Sequence, residues 1–534
     1  MTTPTTPTTR AQPSAPAAVP GTGRERLARR ALRAASGLLV LALAGGALVG
    51  ATRLGAAPAR AVTAVEVEVA PAAVTLQCPG PVLLPQRTVR GDAAFDPAPV
   101  APVVTLDAVT AAGDGAGALA VLPLGGPTAI RDLAAGGGAV HLGGLDAPLV
   151  VRAQPQDVTP VVAATGVSVV TDGDARGLAA ASCRTPASDD WFVGGSTAVG
   201  ATATLVLTNP GLTAAQVELE IFGPNGRVEP TTAQHVVAPG ATKSVDLGGA
   251  AAEQAGLVVH VTVTGGMVSA LVQDTAVRGF TPAGTDLVVP GAPPATRQVV
   301  TGVSTPGTQI GSPDAPVLRL LAPGDEGTTA RVTLLGADGP VDLPGAQRVL
   351  LEAGEVTDVP LGGLESGAYT VVVDADVPVV AGVSTSRVGE PGQLDDEPRV
   401  ERAWSAATVP DTHGAVALPR GVRARVVVGA VGDVAATTGE GTATLRVLGR
   451  DGQVLSEHAV RVDAGTTGAW EVADLATDAA GLELEPTGGA TLAWAVALTV
   501  VQEDGPLVAV LDPVPVVGAA SAITVREDPR AARG

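Results

Sequence analysis

An internal repeat constrains the fold of this chain more than any other feature of its sequence. Four copies of a unit of 105 to 114 residues follow one another, and each contains a short turn region followed by two valine-rich segments. The equivalent leucines of the turn regions are Leu142, Leu247, Leu361 and Leu475. Self-similarity at a fixed period indicates one structural unit used repeatedly. Because 534 residues are also too many for a single hydrophobic core, the sequence predicts several modules of one architecture.

Each unit has the pattern of antiparallel β-structure. Val217, Leu219 and Ile221 alternate with polar residues, which is typical of a strand with one solvated face. Asn225-Gly226 and Asp338-Gly339 supply the positive φ angles that tight hairpin turns require. Six to eight short strands in about 110 residues favour tandem immunoglobulin-like or fibronectin-like β-sandwiches, an all-β fold. A propeller blade needs only about 40 to 50 residues, which disfavours one four-bladed propeller.

The repeat and the composition together predict the domain boundaries. The four sandwiches are expected at residues 61–190, 191–293, 294–403 and 404–517, after a disordered basic cytoplasmic tail at 1–33 and a transmembrane helix at 34–57, and before a disordered tail at 518–534. Linkers are expected at 185–190, 290–297 and 390–402, where proline, glycine and charge accumulate. Trp191 and Trp404 open the second and fourth copies. We expect them to fill module junctions, and an interaction role is the alternative.

The N-terminal region predicts a membrane anchor. Five arginines between residues 24 and 33 precede an uncharged stretch at 34–52. Nineteen helical residues span about 28 Å, close to the thickness of the hydrocarbon core of a bilayer. The excess of arginine before the stretch favours a cytoplasmic N-terminus, so the chain is expected to cross the cell membrane once, with its bulk outside. A cleavable signal peptide is the alternative, because Ala57-Pro58-Ala59 and Ala59-Arg60-Ala61 resemble cleavage sites. With either a membrane anchor or a signal peptide, the repeats are expected outside the cell.

The net charge of the chain indicates which partners it can bind, and its two cysteines indicate the compartment in which it folds. A formal charge of -20 argues against nucleic acid as a partner, because binding to phosphates requires clustered lysine and arginine. Cys78 and Cys183 flank the first module, and an oxidising exterior would join them in a disulfide that closes it. Two unpaired buried thiols are the alternative.

No catalytic or cofactor motif is recognisable. The five histidines lie at non-equivalent positions and lack metal-ligand spacing, and no G-x-S-x-G motif occurs. We therefore expect no enzyme activity, no cofactor and no metal. Asp189-Asp190 and the acidic run at 395–397 lie in predicted linkers, where calcium is conceivable but a solvated linker is favoured. Aromatic residues make up 2% of the chain, so aromatic platforms for sugar stacking are scarce.

Two segments carry a family resemblance. The sequence VTLQCPGP at 74–81 and the stretch from Cys183 to Gly226, after a basic single-span N-terminus, resemble a family of actinobacterial envelope proteins of unknown function. Some of these carry the name large extracellular alpha-helical protein, although the strand pattern leaves little room for long helices. The resemblance implies no known activity.

The sequence therefore favours a non-catalytic extracytoplasmic envelope protein, acting as a stalk or as a protein-interaction platform. Its expected partners are the lipid bilayer, through the single helix, and envelope proteins or a wall polymer. The alternative is a module that binds cell-wall polysaccharide or adheres to it. Exposed tryptophans would favour that alternative.

Overall fold

The computed structural model describes residues 35–39, 42–43, 45–46, 65–68, 71–84, 100–113, 116–156, 159–343, 345–392, 395–432, 439–516 and 522–525. The predicted tail at 1–33, most of the predicted span at 34–57, the alternative cleavage sites and most of the predicted tail at 518–534 lie outside these residues. No helix in the described ranges is long and apolar enough to cross a membrane.

Strands account for nearly all regular structure in the described ranges. β1 (Val65–Glu68) comes first. The strands of the first sandwich are β2 (Val74–Gln77), β3 (Val103–Thr110), β4 (Ala116–Pro123), β5 (Arg131–Leu133), β6 (Gly138–Gly143), β7 (Leu149–Pro155), β8 (Val162–Val170) and β9 (Gly177–Ser182). The second sandwich contains β10 (Asp189–Val193), β11 (Ala201–Asn209), β12 (Ala215–Gly223), β13 (Gly226–Val228), β14 (Gln234–Val237), β15 (Ala241–Asp246), helix α1 (Leu247–Ala250), β16 (Val258–Thr264), β17 (Ser269–Arg278) and β18 (Thr281–Val288).

The second half of the chain repeats this order. The third sandwich contains β19 (Ala295–Pro306), β20 (Val317–Leu321), β21 (Thr328–Gly336), β22 (Gly339–Val341), β23 (Arg348–Leu351), β24 (Thr357–Pro360), β25 (Ser366–Pro391) and β26 (Pro398–Ala406). The fourth contains β27 (Gly414–Ala417), β28 (Arg423–Val431), β29 (Glu440–Leu448), β30 (Val454–Asp463), β31 (Thr467–Glu471), helix α2 (Val472–Leu475), β32 (Gly481–Gly489), β33 (Thr491–Val500), β34 (Leu507–Leu511) and β35 (Val514–Pro515). β36 (Ala522–Val525) is last.

The chain divides into two compact units. Residues 1–68 and 522–534 form one, in which β1 and β36 pair antiparallel with Val65 opposite Val525. Residues 69–521 form the other, and it contains all four sandwiches.

All four sandwiches share one topology. One sheet of each, which we call the axial sheet, has the order β6-β3-β8-β9, β15-β11-β17-β18, β24-β20-β25-β26 or β31-β28-β33-β34. The other, which we call the outer sheet, has the order β2-β7-β4-β5, β10-β16-β12-β13, β19-β25-β21-β22 or β27-β32-β29-β30. The predicted all-β fold of repeated sandwiches is therefore confirmed. The alpha-helical name given to similar proteins does not describe these sandwiches.

The pairing differs from that of an immunoglobulin domain, where strands A, B, E and D form one sheet and C, F and G the other. With β13 and β14 counted as one broken strand of the second sandwich, the first strand, β10, pairs with the sixth, β16, and the seventh, β17, pairs with the second, β11. The broken fourth strand pairs with the third, β12. The first and seventh strands have thus exchanged sheets. The third sandwich shows how the sixth strand leads into the seventh, because β25 is one continuous strand that passes from the outer sheet to the axial sheet.

The four sandwiches close into a ring within the larger unit. Their last strands meet around its axis: β9 packs on β18, β18 on β26, β26 on β34, and β34 on β9. Every residue of β9 and of β18 is buried, so both faces of these strands are covered. Glycine permits the close approach, since a Cβ at Gly177 would lie 2.4 Å from the carbonyl oxygen of Thr285. The hydrophobic core of the fourth sandwich also includes Val167 and Leu178 of the first, which closes the ring.

Three sequence predictions need correction. Residues 390–402 are not a linker between modules, because they connect β25 to β26 inside the third sandwich. Trp404 accordingly lies in β26, at the end of the third sandwich, and does not open the fourth. An exposed hairpin connection is as charged and as rich in proline as a linker, so composition could not separate the two. Asp189 and Asp190, also assigned to a linker, belong to β10.

Candidate functional site at the junction of sandwiches 2 and 3

A row of side chains crosses the outer sheet of the second sandwich. β10, β16 and β12 are neighbours, and their register places Trp191 opposite His260 and His260 opposite Glu220. Directly opposite residues on one face are close enough to interact. The Trp191 and His260 rings stack with centroids 4.0 Å apart, and Phe222 lies 6.1 Å from Trp191 on the same sheet. The aromatic row is therefore a direct consequence of strand register.

Carboxylates hold the histidine of this row at both ring nitrogens. His260 Nδ1 lies 2.8 Å from Glu220 Oε2, and His260 Nε2 lies 3.3 Å from Asp189 Oδ1. The neighbouring Asp190 is largely removed from solvent, and its burial raises its pKa to about 6, despite the opposing effect of Arg184. The row thus combines an aromatic surface with negative charge.

The row borders a cleft of about 870 Å³ between the second and third sandwiches. Trp191, Phe222, Glu220 and Arg227 contribute from the second sandwich. The third sandwich contributes the connections at 323–326, 353–354 and 377–378, among them the exposed carboxylates of Asp325 and Glu326. Arg227 is already paired with Glu220, with 2.8 Å between Nη2 and Oε1. The cleft is therefore net negative, with an apolar floor.

Trp404 fills the same junction nearer the ring axis. Its side chain packs in the core of the second sandwich although β26 belongs to the third. The indole Nε1 donates to Asp274 Oδ2 at 2.9 Å, and the backbone N–H donates to Asp286 Oδ2 at 2.7 Å. Both aspartates lie on strands of the second sandwich, directly opposite each other. The expectation that a tryptophan fills a module junction describes Trp404 well.

Arg319 is the polar bridge of this junction. Its guanidinium makes a two-pronged bond to Asp358, with Nε–Oδ1 and Nη2–Oδ2 distances of 2.8 Å each, inside the third sandwich. Its Nη1 donates across the junction to the carbonyl of Gly195 at 2.6 Å, and the guanidinium carbon lies 5.1 Å from the centre of the Trp404 ring. Such a cation–π contact is stronger where water is excluded, as it is here.

A second buried ion network lies where three sandwiches meet. Arg176, of the first sandwich, is 1% exposed and makes a two-pronged bond to Asp504 of the fourth at 3.0 and 2.9 Å. Glu401, of the third sandwich, is fully buried, and its Oε2 lies 3.7 Å from Arg176 Nη1. Glu401 Oε1 accepts from the backbone N–H of Leu178 at 2.9 Å. These bonds connect the ring at its axis.

Burial raises the pKa of the carboxyl groups at the axis. The pKa of Glu401 is well above its ordinary value because of burial, which outweighs the N–H of Leu178 and the charge of Arg176. Burial likewise raises the pKa of Asp286 well above its ordinary value, and that of Asp512, on the loop after β34, to about 6. A raised carboxyl pKa means that the neutral acid is favoured, so the ring centre is sensitive to pH.

A further cavity of about 550 Å³ separates the first and second sandwiches. The proline-rich segment at 79–84 forms one wall, and the exposed face of β11, β15 and β17 forms the other. Gln273 fixes this segment, accepting from the N–H of Leu83 at 2.7 Å and donating to its carbonyl at 2.8 Å. The lining of this cavity is mostly apolar. It lacks the charges of the cleft between the second and third sandwiches, which we call the Trp191 cleft.

The remaining predicted residues can now be placed. The disulfide between Cys78 and Cys183 is present, with the Cα atoms 4.3 Å apart. Trp191, Trp404 and Trp494 are 8%, 6% and 2% exposed, so these three rings are not available as sugar-stacking platforms. No group of three or more His, Cys, Asp or Glu within the described ranges could hold a metal ion. Asp395 instead accepts from Thr281 and from the N–H of Phe280, bonds that lower its pKa.

Arg176, Arg319 and Glu401 were not predicted from the sequence. A usable signal was present only for Arg319, which interrupts the apolar run VLRLL, whereas Glu401 lies in the charged stretch PRVERAW. A charged residue inside an apolar strand has to be paired if it is buried. Its partner could not be inferred, because it lies on another module.

A family of unknown function, DUF5719, matches residues 141–473, from β6 of the first sandwich to α2 of the fourth. No curated protein matches the chain.

Proposed function

The chain belongs to the DUF5719 family of unknown function, and we propose that it is a non-catalytic extracytoplasmic envelope protein whose ring of sandwiches is a protein-interaction platform. The observation that carries the proposal is the Trp191 cleft, an apolar floor with exposed carboxylates at a module junction. Clefts that are lined by apolar side chains and a few polar groups are typical of binding sites at domain interfaces. A ring joined by buried ion networks presents such a cleft with little freedom to deform.

The charge of the cleft specifies the kind of partner. Glu220 is paired with Arg227, while Asp325 and Glu326 face solvent, so the cleft favours a positively charged segment. Complementary charge contributes to specificity and to the rate of association. We therefore propose that an envelope protein docks here through a lysine- or arginine-bearing segment. A polysaccharide ligand is supported less, because Trp191 is only 8% exposed and stacks against His260, which leaves little of its ring for a sugar.

Reversing the charge of the cleft should weaken this interaction. In the full chain, the double change Asp325→Lys and Glu326→Lys is expected to weaken binding of a labelled lysine-alanine peptide by at least about tenfold, since two attractive contacts become repulsive. The matched control reverses two exposed aspartates of the first sandwich, Asp132→Lys and Asp172→Lys, with the same change in net charge. Fluorescence anisotropy at two salt concentrations measures the binding.

The outcomes separate the alternatives. Equal loss in both double variants would mean only a general attraction to an acidic protein and would contradict the cleft proposal. Binding of purified wall polysaccharide that is lost in the cleft variant, with no peptide binding, would replace the proposal with the adhesive alternative. Co-purification of the same envelope protein with wild type and control, but not with the cleft variant, would support the platform.

The exported location is the second part of the proposal. Residues 34–57 would form the single membrane span, with the N-terminus in the cytoplasm and the sandwiches outside. The disulfide between Cys78 and Cys183 supports an oxidising compartment, because disulfides persist mainly outside the cytosol.

The only lysine of the chain gives a direct test of this location. Lys243 lies on β15 and is half-exposed. A membrane-impermeant amine reagent applied to intact cells is expected to modify Lys243 to the same extent as in lysed cells, as measured by mass spectrometry of the Lys243 peptide. The variant Lys243→Arg should lose this label while keeping the charge. Labelling that appears only after lysis would place the sandwiches inside and refute the proposal.

A further inference from the structure

The outer sheets of the four sandwiches end in different kinds of edge strand. In the first sandwich the edge strand β5 has three residues. The second and third have edges broken into two pieces, β13 and β14 or β22 and β23, of three and four residues each. In the fourth the edge is β30, a continuous strand of ten residues. Short or broken edges prevent pairing with another chain, whereas a long continuous edge is a template for it.

The free side of β30 is open in the described structure. β30 pairs with β29 alone among the described strands, with Glu440 opposite Asp463 at one end and Val447 opposite Ser456 near the other. The opposite end of this sheet is closed by the two-residue strand β35, which pairs with β27, and β27 also contacts the first sandwich through a bond of 2.7 Å from Thr165 Oγ1 to the Ala417 carbonyl. The N–H and C=O groups on the outer side of β30 are therefore available to a further strand.

Charges on the exposed face of β30 select one occupant. Glu457 and Arg461 lie four residues apart and are 60% and 67% exposed. If two β30 strands pair antiparallel about a two-fold axis through Ala459, Glu457 of each copy lies directly opposite Arg461 of the other. The symmetric pairing therefore makes two salt bridges of opposite charge across the interface. Opposite charges directly across a strand pair are stabilising, and like charges are destabilising.

Neighbouring registers are less favourable. Centring the two-fold axis on Glu457 would place that carboxylate opposite its own copy, and centring it on Arg461 would do the same for the guanidinium. Centring it on Val460 would place Glu457 opposite Asp463. Because directly opposed residues in a sheet point to the same face, an axis lies on a residue and no half-step is available. Of the registers centred on Glu457, Ala459, Val460 and Arg461, the charge pattern thus favours the one centred on Ala459.

The charges inside one copy extend the same pattern. Arg446 on β29 lies 3.2 Å from Glu457, and Glu440 on β29 lies 3.4 Å from Arg461. Across the dimer the row of directly opposed charges would read Arg461 of one copy, then Glu457 and Arg446 of the second copy, with alternating sign, while Glu440 supports Arg461 from a diagonal position on β29. A two-fold contact is self-complementary by symmetry, so one matched row implies the second.

We propose that this chain forms a homodimer by antiparallel pairing of β30 with β30 of a second copy, in the register that centres on Ala459. The pairing joins two five-stranded outer sheets into one continuous sheet. The proposal is independent of the Trp191 cleft, which lies on sandwiches 2 and 3. It would make the platform bivalent.

Cysteine cross-linking of the full chain tests the register. Both native cysteines are in the disulfide, so an added cysteine is the only free thiol. Ala459→Cys is expected to give a disulfide-linked dimer under mild oxidation, because opposed Cβ atoms lie about 5 Å apart. Val236→Cys, at an exposed position of the broken edge strand β14, is the matched control and should remain monomeric. Equal cross-linking of both variants, or of neither, would overturn the proposal.

Charge exchange tests the interface without relying on a new bond. Glu457→Arg and Arg461→Glu, each alone, should raise the dimer dissociation constant on the order of tenfold or more, because two attractive pairs become repulsive. The double variant should restore it, and an equimolar mixture of the two single variants should form the heterodimer. Sedimentation of the full chain in detergent measures the dimer dissociation constant of the two single variants, the double variant and the mixture. A wild type that stays monomeric, or a dimer indifferent to either single change, would refute the proposal.

Discussion

Replacement of Arg319 with methionine should lower the free energy of unfolding of the full chain by about 3 kcal/mol, the low end of the range for breaking a buried ion pair. The change removes the guanidinium donor from the carbonyl of Gly195, which keeps only the N–H of Leu257 at 3.2 Å, and it removes the cation from the Trp404 ring. Methionine fills much of the volume, so the effect reports the polar contacts. Asp358 is 37% exposed and can recover some hydration, which is why the low end is expected.

The repeat itself provides the matched control. Arg425 occupies the equivalent position in the fourth sandwich, where it faces Glu471 across β28 and β31 as Arg319 faces Asp358 across β20 and β24. Arg425 and Glu471 are 45% and 40% exposed, so Arg425→Met should cost below about 1 kcal/mol. Urea unfolding followed by circular dichroism measures both. Similar losses for the two variants would show that the cross-junction contacts of Arg319 contribute nothing.

The ring should be more stable at pH 5 than at pH 8. Glu401, Asp286 and Asp512 have folded-state pKa values above those of the unfolded chain, which lie near 4. Between the two values the folded state binds more protons than the unfolded state, so the free energy of unfolding falls as the pH rises through that window. For Asp512, with a pKa of about 6, the loss amounts to about 2 kcal/mol between pH 4 and pH 7.

Charged groups near Glu401, Asp286 and Asp512 also influence the pH dependence of stability. Glu401 faces Arg176 and Asp286, Asp286 faces Asp274 and Arg402, and Asp512 faces Arg184. Asp504 acts in the opposite sense: burial alone would raise its pKa, but the bonds and charge of Arg176 outweigh burial and lower it. Its contribution is lost as the pH falls below about 4. The optimum is therefore expected between these two windows.

Replacing Asp512 with asparagine, its neutral isostere, tests whether this carboxyl causes the pH dependence of stability. Asp512→Asn should raise the free energy of unfolding at pH 8, leave it nearly unchanged at pH 4, and so flatten the pH dependence. The control is Asp338→Asn in an exposed Asp-Gly turn, where asparagine supports the same turn. Urea titrations at pH 4, 5, 6, 7 and 8 give the profile. A wild-type stability that rises steadily from pH 5 to pH 8 would contradict the assignment.

The sequence determined the repeated unit, its strand content and the disulfide. Alternation such as that of Val217, Leu219 and Ile221, and turn pairs such as Asn225-Gly226, depend only on neighbours along the chain, and a local pattern is visible without the fold. Cys78 and Cys183 could be paired from their places at the two ends of one module.

Only the tertiary structure decided that the four modules close into a ring and where the charges of the junctions go. Trp404 was assigned to the wrong module, because an exposed hairpin and a linker have the same composition, and Glu401 attracted no prediction at all. The partners of Glu401 are Leu178 and Arg176, more than 200 positions away on another sandwich. Contacts between modules depend on how whole surfaces pack, and packing is a property of the assembled surfaces rather than of any local sequence period.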